Sequence, residues 1–174
     1  MSNYMVEAKS RDDLRNLARQ FRKLLRLEDE LYFPIVELLD VMTVLFDDFN
    51  YEIVEDNVFT ENVHADTDIK TGHIRIKESV YEGACNGEGR DRMTIAHEIG
   101  HYFTICVCGF KLTRNFGGKR IPAFQDPEWQ AKCFAGELMV AAHHVKGMNK
   151  YEIAERCGVS YDAACMQYKH LQRR

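Results

Sequence analysis

Apolar residues recur at helical spacing over most of this chain, and only a short central stretch alternates residue by residue. Leu14, Leu17, Phe21, Leu24 and Leu25 return every three or four positions behind a Ser10 and Asp13 pair with the form of a capping box. An amphipathic helix is therefore predicted over about 10–29. A second helix is predicted from Pro34 through Ile35, Leu38, Leu39, Met42 and Leu45, proline being well suited to a first turn. Alternation takes over in the runs 51–55, 63–68 and 72–77, with a turn signal at Thr71 and Gly72, and predicts three short strands in a small antiparallel sheet. A helical turn is expected at 78–84, and then Met93, Ile95, Ile99, Tyr102, Phe103 and Cys106 mark a buried helix over 90–106. A polar stretch over 109–126, with Asn115 and Pro122, reads as a long loop or hairpin. Asp126, as N-cap before Pro127, then opens another helix. Two terminal helices follow at about 149–157 and 161–172, broken by Gly158, Val159 and Ser160. With no repeat or linker, residues 1–174 are expected to form one mostly helical α+β domain.

Composition narrows the class of protein. The 174 residues are 45% hydrophobic and 29% charged, as in a globular chain able to bury a real core. A net charge of −4 argues against a dedicated nucleic-acid binder. The N-terminus lacks the basic and apolar blocks of a signal peptide and no run approaches 18 apolar residues, so a cytoplasmic protein without membrane contact is expected. In that compartment Cys85, Cys106, Cys108, Cys133, Cys157 and Cys165 are expected to be free thiols. Cys106 and Cys108 lack a second pair, so a separate structural zinc site is not expected. Between Lys9 and Arg26 there are seven basic residues against two acidic ones, read as a solvated helix face. His64 and His73, isolated on strands, are read as surface residues.

Within the buried helix lies His97-Glu98-Ile99-Gly100-His101. Residues i and i+4 return to nearly the same side of a helix, so both imidazoles can reach one metal ion. This spelling is the signature of zinc hydrolases in which the glutamate handles protons. Glu98 falls about 100° around the helix from His97 and about 60° from His101, so it can flank a metal without binding it. A catalytic zinc takes three protein ligands. A third histidine in the longer H-E-x-x-H-x-x-G-x-x-H pattern is ruled out, because Thr104 and Val107 stand at the positions that would matter. Carboxylates on the following helix remain: Glu128 in its first turn, Asp126 at its cap, and Glu137 two and a half turns on. Tyr81, Tyr102, His143 and His144 are conceivable oxyanion donors that spacing does not separate.

The run from Arg92 to Tyr102, RMTIAHEIGHY, followed by Asp126 to Met139, DPEWQAKCFAGELM, resembles the ImmA/IrrE family of metallopeptidases. The second family element, E-x-x-A-x-x-F-A-x-x-L-M, is matched by Glu128, Ala131, Phe134, Ala135, Leu138 and Met139. Val140 stands where that family often has proline, and the sensor-like C-terminal domain of some relatives is not expected. The resemblance spans roughly 33–172. It implies a zincin-like fold, one Zn²⁺ per chain on His97, His101 and Glu128, and Glu98 as the proton-transfer group. It also implies site-specific cleavage of a helix-turn-helix repressor of the phage type. Mn²⁺ or Fe²⁺ could occupy such an N₂O donor set. Two other readings stand beside it. One is a metal-binding toxin or partner of a paired antitoxin or repressor with little activity alone. The other is DNA binding through the helix-turn-helix-like pair at 145–174, where six basic residues face three acidic ones from Lys146 on.

Overall fold

The computed structural model describes residues 4–107, the backbone at 113–114, and residues 120–172. A two-residue strand β1 (Tyr4–Met5) precedes helix α1 (Arg11–Leu24), whose N-terminus is closed by the Ser10 and Asp13 capping box. The helix stops short of position 29 because the chain reverses: Arg26 takes a left-handed φ of 57°, and Leu27 N–H bonds back to Arg22 O. Helix α2 (Ile35–Leu45) follows Pro34 as the pattern predicts.

Strands β2 (Asn50–Val54), β3 (Ala65–Asp68) and β4 (His73–Lys77) form one sheet in the order β2-β4-β3. The expected all-antiparallel arrangement is corrected here. β3 and β4 pair antiparallel across a turn, but β2 runs parallel to β4, with Ile53 opposite Ile76. Alternation records which face of a strand is buried and carries no information on its direction. The direction is set by the connection through β3, which returns the chain to the far edge and leaves β4 central with Ile74 and Ile76 buried.

Helix α3 (Glu78–Cys85) leads into α4 (Gly89–His101), which continues as a π-helical turn over Tyr102–Val107. A second two-residue strand, β5 (Thr113–Arg114), pairs with β1; the rest of the expected loop over 109–119, and Cys108, lie outside the described residues. Helix α5 (Pro127–Met139) carries Pro127 at its first position and accepts Glu128 N–H on the Asp126 side chain. Helices α6 (Lys150–Cys157) and α7 (Tyr161–Leu171) close the chain. One continuous core draws on all seven helices and on β4. Among the described residues, no helix is long and apolar enough to cross a membrane.

Two buried arginines hold the connections to this core. Arg22 donates to Leu138 O and Glu30 O, and Arg92 donates to Phe33 O at 2.6 Å and to Gly158 O at 2.9 Å while stacking on Tyr32. Gly158 caps α6 in the left-handed region at φ 60°, and a Cβ there would stand 2.2 Å from the Tyr32 ring. Gly158→Ala is expected to lose about 2 kcal/mol of stability, from the left-handed penalty and the displaced ring together, measured by chemical unfolding.

The basic face of α1 is less solvated than its charge pattern suggests. Arg11 and Arg15 both turn onto Glu137, whose side chain is 2% exposed, and Arg22 is buried.

Candidate metal centre

Helix α4 divides its surface between core and cleft. Ile95, Ala96 and Ile99 are fully buried, and this anchors the helix so that His97 and His101 project together from the other side. Their Nε2 atoms stand 3.2 Å apart, with the rings at 76°. Two unprotonated Nε2 atoms at that separation aim lone pairs at each other, which is stable only with a proton or a metal cation between them.

The third group arrives from α5. Glu128 places Oε2 at 3.3 Å from His97 Nε2 and Oε1 at 3.3 Å from His101 Nε2. All three ligand atoms lie within 4.8 Å of one another. The hydrogen bonds to His101 and then His97 hold the Glu128 carboxyl well below the usual carboxylate range, against the opposing effect of burial. In a tetrahedral zinc site with bonds of about 2.0–2.1 Å, adjacent ligand atoms are about 3.3–3.4 Å apart, so the donor set and its spacing fit such an ion.

The approach of α5 to α4 depends on Gly100. A Cβ at that position would lie 2.8 Å from the backbone oxygen of Ala131, one turn beyond Glu128. The glycine in H-E-I-G-H lets the two helix backbones touch, and that contact carries Glu128 to the imidazoles. The other two acidic candidates are engaged elsewhere: Asp126 caps α5, and Glu137 pairs with Arg11 and Arg15.

Glu98 faces the same cleft but stands off the triad. It is 7% exposed, and its Oε2 accepts a 2.7 Å hydrogen bond from the Thr67 hydroxyl on β3, the sheet's edge strand nearest α4. Thr67 was not legible as a site residue, since strand alternation shows the face of a residue and not the helix it meets.

The cleft encloses about 910 Å³, with α4 as its floor and the β3 edge on one side. Across from β3 lie α5 and one face of α7, which contributes Ala163, Met166 and Gln167. The second helix of the terminal pair is thus a wall of this cleft. None of the four conceivable oxyanion donors lines it. The Tyr102 hydroxyl is buried and donates to Asp48 at 2.7 Å, while both His143 and His144 lie against Glu28 O. His64, read as a surface residue, sits at the cleft beside Arg90 at 3.2 Å; the other isolated histidine, His73, pairs with Glu52.

No family model matches the chain, and no curated protein does. Among solved structures, a Mycobacterium tuberculosis transcriptional regulator is similar in fold, with a TM-score of 0.59 at 12% identity over 89% of this chain. This chain spans 55% of that structure's length. At this identity the likeness speaks to fold alone.

Proposed function

We propose that this protein is a metal-dependent endopeptidase of the ImmA/IrrE type that cleaves a helix-turn-helix repressor. The observation that carries the reading is the convergence of His97, His101 and Glu128, from two helices, with their ligand atoms within 4.8 Å of one another. The repressor as substrate rests on the family resemblance of the two joined sequence motifs. His97, His101 and Glu128 would hold one zinc ion, which supplies a lowered pKa to an attacking water and polarises the peptide carbonyl.

The chain's own groups then do the rest. Glu98 takes the proton of the attacking water and delivers it to the leaving amine. Thr67 donates its hydroxyl hydrogen to one Glu98 oxygen, which orients the carboxylate and leaves the other oxygen for the proton. The cleft between the β3 edge and α7 would receive an extended chain across the floor.

The purified protein is expected to bind one zinc ion per chain, and Glu128→Ala to weaken binding at least about 100-fold, read by competition with a chromophoric chelator. Thr67→Val, which keeps shape and removes the donor, is expected to slow hydrolysis about tenfold, in line with loss of one charge-assisted hydrogen bond; Thr67→Ser should recover most of the rate. The reading as a whole is tested by incubating the zinc-loaded protein with helix-turn-helix repressors of the phage type from its source genome. Discrete fragments are the expected result, and an intact repressor under conditions where zinc is bound would refute the assignment.

A further inference from the structure

The carboxylates of the cleft are all committed, whereas two of its cations are not. Asp66 is held by two nitrogens of Arg75, Glu98 by Thr67, and Glu128 by the two imidazoles. Arg11 also reaches the cleft, but its guanidinium is bound to Glu137. Arg90 and Lys132 line the same space, both are exposed, and neither has an ion-pair partner among the described residues. Arg90 lies 3.2 Å from the His64 ring and close enough to the Asp91 carboxyl to act on it, and it stands in the first turn of α4, where the helix dipole disfavours a cation. Among the described residues, Arg90 and Lys132 thus bring two positive charges without ion-pair partners to one concavity. Like charges gathered in a concave, partly apolar site focus the field and draw in an anion.

The form of the cleft indicates which anion. Arg90 precedes His97 by about 10.5 Å along α4, the length of about three residues of extended chain. Lys132 follows Glu128 by one turn of α5, about 6 Å. The same lining includes apolar Met93, Ala163 and Met166, the last 56% exposed. A phosphodiester backbone, charged at every unit, would set charge against this apolar surface at each step. A peptide can alternate the two characters.

We infer that the cleft selects an extended peptide that carries acidic side chains within about three residues of the bond set over the triad, with Arg90 and Lys132 receiving the carboxylates. An apolar side chain of the same peptide rests on Ala163 and Met166. The position of the bond rests on the metallopeptidase reading above; the charge preference can be measured without turnover.

The test uses zinc-loaded Glu98→Gln protein and three fluorescein-labelled pools of degenerate twelve-residue peptides, identical except that glutamate, glutamine or lysine fills the variable polar positions. Fluorescence anisotropy at low salt is expected to show the glutamate pool binding at least about tenfold more tightly than the glutamine pool, with the lysine pool weakest. Adding Arg90→Glu and Lys132→Glu should reverse the order, while Arg90→Gln with Lys132→Gln should bring the pools within about threefold. Circular dichroism identifies any variant that has lost its fold, and the other pair then decides the outcome. Equal binding of the three pools, survival of the glutamate preference in both double variants, or tighter binding of a twelve-nucleotide single strand would each overturn the proposal. Failure of the unmodified protein to hydrolyse any peptide, with the preference intact, would count against the peptidase reading and leave this one standing.

Discussion

Glu98→Gln is expected to lower peptide hydrolysis by about 10²–10⁴-fold while leaving zinc stoichiometry at one per chain, because a positioned general base contributes about that much to such a reaction. Glutamine keeps the shape of the side chain and can still accept the Thr67 hydrogen bond through its amide oxygen. It cannot take up a proton at neutral pH. Since Glu98 makes no contact with the His97, His101 and Glu128 cluster in the hydrogen-bond network, metal affinity should change little. The measurement is a paired one, zinc content beside the rate of repressor cleavage. A variant that retained both zinc and the original rate would remove Glu98 from the mechanism. One that lost zinc would show that the side chain belongs to the metal site.

Gly100→Val has the second large effect, and it acts on the metal site without touching a ligand. A single Cβ at position 100 would already lie 2.8 Å from Ala131 O, 3.2 Å from its Cα and 3.3 Å from its carbonyl carbon. These are backbone atoms in the middle of a buried helix, which cannot swing aside as a side-chain terminus can. Replacing glycine by alanine inside a helix ordinarily adds about 0.5–1 kcal/mol of stability, so Gly100→Ala sets that gain against overpacking of about 1–3 kcal/mol. Valine adds two methyl groups and a restricted rotamer, and the balance becomes a loss of about 3 kcal/mol. To relieve the contact α5 must move away from α4, and Glu128, on the preceding turn, moves with it. Zinc affinity is therefore expected to fall at least about 100-fold in the valine variant and less in the alanine variant, with thermal unfolding following the same order. Unchanged zinc affinity in a folded Gly100→Val protein would show that the close approach of the helices does not position Glu128.

The elements whose residues answer to local physics were legible along the chain. The capping box at Ser10, the Asp126 and Pro127 start of α5, and the Gly158 break between α6 and α7 are short-range devices, and each stands where its residues predict. The histidine pair belongs with them, because a spacing of four within one helix is a local geometric fact. The third member was different. Spacing alone left Glu128, Asp126 and Glu137 open, and they are separated by partners distant in sequence: Arg11 and Arg15 claim Glu137, while the imidazoles meet Glu128. Several residues whose partners lie far along the chain were missed or read as surface. Thr67, Arg90 and His64 acquire their places only because β3 is laid beside α4, and the buried arginines only because backbone carbonyls from remote turns converge on them.

The amino-acid order by itself determined the helices, several of their starts, and the presentation of two imidazoles with a carboxylate between them, because those depend on contacts within one or two turns of backbone. The parallel setting of β2, the meeting of Glu128 with the imidazoles, the hydroxyl on Glu98 and the placing of Arg90 and Lys132 at the cleft were decided by tertiary structure. Each of these requires segments remote in the chain to approach within a few ångströms. Packing around Gly100 and β4 settles which of them do.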